Sequence, residues 1–106
     1  MAASVELAQK PTRDELLAAI KSYAGIPQLK KLPSAPSQAI YYMDQQDRPQ
    51  PRRDASRERG MAVSMGRLRE CPVLDWKFIC MAHNTVRGAA GAAVLNAELM
   101  HAEGIL

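Results

Sequence analysis

Between Val73 and Ala82 the chain reads Val-Leu-Asp-Trp-Lys-Phe-Ile-Cys-Met-Ala, a stretch in which neither alternating face is polar enough to be left in water. Leu74, Trp76, Phe78 and Cys80 fall on one side of a period-2 strand, and Val73, Asp75, Lys77, Ile79 and Met81 on the other. A strand that is largely apolar on both faces has to be covered on both, with Asp75 and Lys77 toward an end or an interface. This segment therefore demands a sheet with material above and below it. Cys80 belongs to the core on this reading, since free cysteine is among the most buried residue types.

Other segments supply the remaining layers. Ser4–Ala8 alternates Val5 and Leu7 against Ser4 and Glu6, Gln38–Met43 carries Ala39, Ile40, Tyr41 and Tyr42, and Met61–Arg69 sets Met61, Val63 and Met65 against Ala62, Ser64 and Gly66. All three read as strands. A helix starts at Thr12, whose hydroxyl can accept the Glu15 amide while the Glu15 carboxylate returns to the Thr12 amide. Leu16, Leu17, Ile20, Tyr23 and Ala24 give it an apolar stripe, and Gly25 with Pro27 is expected to end it. Leu32–Pro36 is an extended loop, because each proline disfavours helix in the residue before it. Asp44–Arg59, with two prolines and many charges, is expected to be a long exposed loop, and loops beyond about 12–15 residues are often functional or interacting segments. A final helix runs from Thr85 to Glu103, stopped by Gly104. The fold class is α+β, with a mixed or antiparallel sheet of about four strands and two helices.

At 106 residues, 47% hydrophobic and 24% charged, the chain is composed to hold one core and not to be wholly disordered. Its longest small and apolar run, Gly88–Met100, is too short for a membrane span and contains Asn96 and Glu98. Glu6, Lys10, Arg13 and Asp14 interrupt any signal-peptide core, so a cytoplasmic location is expected. The net charge of +3 raises the question of nucleic acid. Arg48, Arg52, Arg53, Arg57 and Arg59 are interleaved with Asp44, Asp47, Asp54 and Glu58, which partly cancels their field, and no aromatic residue lies among those arginines to stack a base. Neither a nucleic acid nor a membrane is expected as a partner. Cys71 and Cys80 are expected to be free thiols. Cys80 and His83 form a C-x-x-H pair, yet a zinc site needs three or four ligands and only Cys71 and His101 remain to complete one.

The first half of the last helix, Gly88-Ala89-Ala90-Gly91-Ala92-Ala93, is nearly bare of side chains. Each interior glycine costs a helix roughly 1 kcal/mol against alanine. Two physical reasons can offset that cost: close approach of another part of the chain, or close approach of a ligand to the amides of a helix start. Local sequence leaves both open.

From His83 through Asn84-Thr85-Val86-Arg87-Gly88-Ala89-Ala90-Gly91 and on to Leu99, the sequence resembles the C-terminal segment of the aspartate-semialdehyde dehydrogenase family, in the branch found in archaea and fungi. Leu32–Pro36, Asp47–Arg52, and Gly60-Met61 leading to Gly66–Arg69 resemble family segments in the family's order, and Ser4–Leu7 followed by Lys10-Pro11 is similar to its strand-to-helix turn. The resemblance implies the C-terminal portion of a dimerisation domain over residues 1–106, and association as a dimer or tetramer. It implies an enzyme that reduces β-aspartyl phosphate to aspartate semialdehyde with NADP as cofactor. The family's nucleophilic cysteine and acid/base histidine match none of Cys71, Cys80, His83 and His101, so the 106 residues by themselves are expected to show no dehydrogenase activity. Asn84 matches a family position that reaches NADP. Thr85 is a neighbouring contact or a helix cap, and Gly88 and Ala89 let the backbone come close to the cofactor. A stand-alone dimerisation module binding the full-length enzyme is the alternative the resemblance allows.

Overall fold

The computed structural model describes residues 1–106. Its elements are β1 (Ala2–Val5), α1 (Arg13–Ser22), α2 (Ile26–Leu29), β2 (Ile40–Met43), α3 (Pro51–Asp54), a 3-10 turn (Arg57–Gly60), β3 (Val63–Glu70), β4 (Trp76–Met81), a π-helical turn (Val86–Ala90) and α4 (Gly91–Ala102). The strands form one mixed sheet in the order β1-β4-β3-β2. β4 is antiparallel to both its neighbours, and β2 runs parallel to β3, with Ile40 opposite Val63 and Met43 opposite Gly66. The α+β class and the four strands agree with the sequence. No helix is long and apolar enough to cross a membrane.

Several boundaries move, each for a physical reason. β4 starts at Trp76, not Val73. Cys71–Asp75 reverses the chain between two antiparallel strands, closed by the Cys71 amide on the Asp75 carbonyl, and Val73 is left 85% exposed. β1 spans residues 2–5, not 4–8, because its ladder ends opposite Trp76; the Leu7 amide is taken instead by the Asp75 carboxylate at 2.8 Å. The capping box of α1 forms as the sequence requires, with Glu15 N–H to Thr12 Oγ1 at 3.2 Å and Thr12 N–H to Glu15 Oε2 at 2.8 Å. That helix stops at Ser22, before Gly25. Tyr23 turns extended and is exposed, and Gly25 precedes α2, with Pro27 in its first turn, where a missing amide costs nothing.

The greatest departure lies in Asp44–Arg59: most of the segment is exposed, as expected, but it carries two short helical turns and is anchored through one buried residue. Asp54 is 1% exposed. Its carboxylate accepts from Arg48 Nε at 2.8 Å and from the Gln50 amide at 2.7 Å, and Arg48 Nη2 closes the second oxygen. Burying a carboxylate is tolerated only when it is paired and hydrogen-bonded. Here charges that read as solvated in sequence pair with one another and fold the segment onto the sheet. Gly66 accommodates it: a Cβ there would stand 2.5 Å from the Arg48 carbonyl oxygen. On the far side of the segment the Tyr41 hydroxyl donates to Glu58, one of two consecutive non-glycine residues, with Arg59, at positive φ (51° and 57°).

Leu32, Met61 and Leu95 form a small buried cluster flanked by Ala35, Val86 and Leu99. It binds the Leu32–Pro36 turn to α4, and the Glu98 carboxylate adds hydrogen bonds from Ser34 N–H (2.9 Å) and Ser34 Oγ (2.7 Å). On β4 only Trp76 is buried, while Phe78, Ile79, Cys80 and Met81 are half-buried. The double coverage that the sequence demands is therefore incomplete within one chain, and Cys80 is not a core residue.

The Asp54 carboxyl is held down to about 2, chiefly by its hydrogen bonds from Arg48, with the Gln50 amide and the Arg57 charge adding to this and burial opposing it. A folded value below the unfolded one (about 3.9) means stabilisation that is fully present above about pH 4 and is lost as pH falls toward 2, of order 2 kcal/mol. Asp54→Asn is expected to lower the urea midpoint at pH 6 and to lose most of that difference from wild type near pH 2; equal differences at both values would contradict the assignment.

Candidate functional site

The end of β4, the start of β3 and one face of α3 enclose an open groove of about 710 Å³. Pro51 and Ala55 line it from the folded-back segment, Val63 and Cys80 from the sheet, and His83, Asn84 and Thr85 from the connection to the last helix. That connection is built around His83. Its Nδ1 accepts the amides of Thr85 (3.3 Å) and Val86 (3.2 Å), two donors whose hydrogens are fixed by the backbone. Nδ1 is therefore the unprotonated nitrogen and a neutral ring carries its proton on Nε2. The Thr85 hydroxyl lies 3.2 Å from the same nitrogen.

His83, not Thr85, caps the helix start. Capping was one of the two roles expected of Thr85, and a histidine two positions before a threonine is not a usual cap signal. The capped chain enters a π turn: Gly88 N–H bonds His83 O at 2.9 Å and Ala90 N–H bonds Thr85 O at 3.1 Å, each spanning five residues. Such turns recur at functional sites. The final helix expected over 85–103 is thus two pieces, the π turn and α4.

The two glycines of the run have different reasons. A Cβ on Gly91 would run into the Met61 sulfur and lie 2.9 Å from the Val86 carbonyl oxygen, so this position is closed by packing. A Cβ on Gly88 would meet only the His83 carbonyl oxygen at 3.5 Å, an ordinary contact, so nothing in the chain needs glycine there. Of the four candidate positions, Asn84 and Thr85 line the groove, while Gly88 and Ala89 lie exposed on the next turn. The Asn84 side chain is exposed and takes part in no hydrogen bond within the chain. Thr85 has its amide and hydroxyl engaged with His83.

The two thiols are free. Cys71 lies in the β3–β4 turn, outside the groove, where the Leu74 amide donates to its Sγ at 3.4 Å and, with the Val73 amide, lowers its pKa. No group of three or more His, Cys, Asp or Glu side chains is placed to hold a metal ion.

Residues 1–87 match the model of the semialdehyde dehydrogenase dimerisation domain. The chain belongs to that family. It is 46% identical to aspartate-semialdehyde dehydrogenase of Schizosaccharomyces pombe, over all of this chain and 30% of the relative, and 42% identical to that of Methanothermobacter thermautotrophicus, over 92% of this chain and 28% of the relative. The crystal structure of aspartate-semialdehyde dehydrogenase with NADP from Candida albicans superposes with a TM-score of 0.86 at 38% identity, covering 99% of this chain and 30% of that one. The chain thus spans about 30% of the length of these relatives. The family match takes in the whole His83–Thr85 cap, and Gly88 and Ala89 follow it directly.

The different surroundings of the glycines separate fold from site. Gly91→Ala is expected to destabilise the protein by about 1–3 kcal/mol through overpacking, whereas Gly88→Ala should leave the thermal midpoint unchanged or slightly higher. A Gly88→Ala variant as unstable as Gly91→Ala would show that Gly88 is also held by packing.

The cap can be tested with two near-isosteres. His83→Asn keeps an acceptor near the Nδ1 position and should retain stability within about 0.5 kcal/mol, while His83→Gln lacks it and should lose about 1 kcal/mol, the usual cost of a lost cap. Equal urea midpoints for the two variants would argue against the cap.

Proposed function

We propose that this chain works as part of an aspartate-semialdehyde dehydrogenase, supplying subunit-contact surface and one edge of the NADP site of an enzyme that reduces β-aspartyl phosphate to aspartate semialdehyde. The observation that carries the reading is the contrast at the last helix. Gly91 is closed by Met61 and Val86, whereas at Gly88, one turn earlier, a Cβ would meet only the His83 carbonyl oxygen, in an ordinary contact at 3.5 Å. A glycine that packing within its own chain does not require, shortly after an Asn84 carboxamide that bonds nothing in the chain, fits a surface that a dinucleotide approaches closely. The likeness to an NADP-containing enzyme over 99% of the chain supports the same assignment.

In this reading Asn84 offers both a donor and an acceptor to the cofactor. Gly88 and Ala89 admit it without a side chain in the way. Thr85, already bonded to His83, acts mainly by keeping the turn in shape and makes at most a neighbouring contact. NADP, when bound, supplies the hydride chemistry. The residues of this chain position it and bring no nucleophile or proton-transfer group of their own. Assembly as a dimer or tetramer follows from the same reading, because β1 and β2 each leave one edge unpaired and β4 is only half-covered; unpaired edges invite another chain. The corresponding location is the cytoplasm, where no membrane or nucleic-acid partner is required.

Asn84→Ala, made in the enzyme that carries this chain, is expected to weaken NADP binding about tenfold, the effect of one or two lost hydrogen bonds. The thermal midpoint without cofactor should not move, since Asn84 bonds nothing in the chain. Unchanged NADP affinity in a calorimetric titration would remove Asn84 from the cofactor site.

A further inference from the structure

A second groove, of about 430 Å³, lies at the other end of β3, where α1 begins and β2 ends. Val63 on the first groove and Arg67 on this one are four residues apart along the strand, roughly 13 Å, so the two are separate. Arg13, Arg67 and Arg69 line it together with Tyr42 and Asp44. Asp44 is engaged by Lys21 at 3.3 Å. None of the three arginines has a carboxylate partner, in contrast to Arg48 and Arg57, which both meet Asp54.

Three like charges around one concavity repel each other, yet the backbone holds two of them in place. Arg13 Nε donates to the Leu68 carbonyl at 3.3 Å, and Arg69 Nη1 donates to the Arg67 carbonyl at 2.8 Å. The Arg13 and Arg69 guanidiniums are thereby each tethered at one nitrogen with their other N–H groups left over, and the Arg67 guanidinium makes no hydrogen bond within the chain. The Tyr42 hydroxyl accepts the Leu68 amide at 3.2 Å, so its own proton is available. The strand itself is distorted here. The β3–β4 register shifts between Gly66 and Arg69, and Arg67 sits at φ 57°, a conformation costly for a residue with a Cβ. Bulges of this kind re-aim side chains and recur beside sites of function.

We propose that this groove binds a small oxyanion, the carboxylate or phosphate group of a metabolite, gripped by Arg13, Arg67 and Arg69 with Tyr42 donating its hydroxyl. Its volume falls in the range of small-molecule pockets. Guanidinium groups with spare N–H pairs match the geometry of both oxyanions, which accept two parallel hydrogen bonds. A nucleic-acid strand is disfavoured by the small, concave shape. The inference is independent of the NADP reading, since it uses none of the same residues.

The test is calorimetric titration of the protein in its native assembly with sodium phosphate and, separately, with malonate, ionic strength being held constant with sodium chloride. Saturable binding of one of them is expected, and the anion that binds more tightly identifies the group recognised. Arg67→Gly removes one guanidinium and places at φ 57° the residue that favours it, so its thermal midpoint should hold or rise while anion affinity falls about tenfold or more, the effect of losing a charge-assisted bidentate pair. Arg69→Gln should weaken binding likewise. Heats no larger than those from chloride alone, or variants that bind as tightly as wild type, would overturn the proposal.

Discussion

A carboxylate with almost no exposure to water organises this molecule. Asp54 is held by Arg48, by the Gln50 amide and at longer range by Arg57, and these partners draw a charged, proline-containing segment into a compact flap against the sheet. Removing any one partner would leave a buried charge under-satisfied, so the segment closes as a unit. Its closure places the Arg48 carbonyl over Gly66, sets Pro51 and Ala55 as one wall of the first groove, and delivers Met61 to the cluster with Leu32 and Leu95. The floor beneath the last helix and the side of the candidate cofactor edge both follow from that pairing.

The last helix is built from two constraints that pull differently. Gly91 lets the chain pass close over Met61 and Val86, which draws the helix down onto the cluster. His83 holds the amides of Thr85 and Val86 from the other side, and the backbone between them widens into a π turn. The turn presents Asn84 and Gly88 outward with their backbone fixed. A surface that must receive a ligand without rearranging gains from being ordered in advance, because that ordering is not then drawn from the binding energy. The half-covered faces of β4 and the two free sheet edges point the same way, toward a structure finished by further protein, as membership of a dimerisation-domain family implies.

How much of this was legible in the chain depends on the range of the interaction. The Thr12–Glu15 capping box was readable because both partners lie within one turn. The strands were readable by alternation, but their ends were not: Val73 and Leu7 continue an apolar pattern in sequence and still fall outside the ladder, since a strand ends where its neighbour does. Asp44–Arg59 is largely exposed, as its composition suggests, but its buried anchor at Asp54 was not legible, because composition cannot distinguish charges that face water from charges that face each other. Cys80 was misread because coverage of a strand depends on what lies above it. Of the site, Asn84, Thr85, Gly88 and Ala89 came from a motif resemblance, while the cap formed by His83 is a matter of side-chain geometry that no spacing rule signals.

The sequence by itself determined the class of fold, four segments able to pair as strands, a well-capped first helix, a small-residue run at the last one and, through ordered motifs, the family. Those features rest on periodicity and on contacts between near neighbours, which the order of residues specifies directly. The tertiary structure alone decided that Asp54 is buried with Arg48, that Gly91 packs while Gly88 stays open, that His83 sets the turn carrying Asn84, and that Arg13, Arg67 and Arg69 share a groove. Each of those depends on which distant segments meet, and so on the free energy of the whole packed chain.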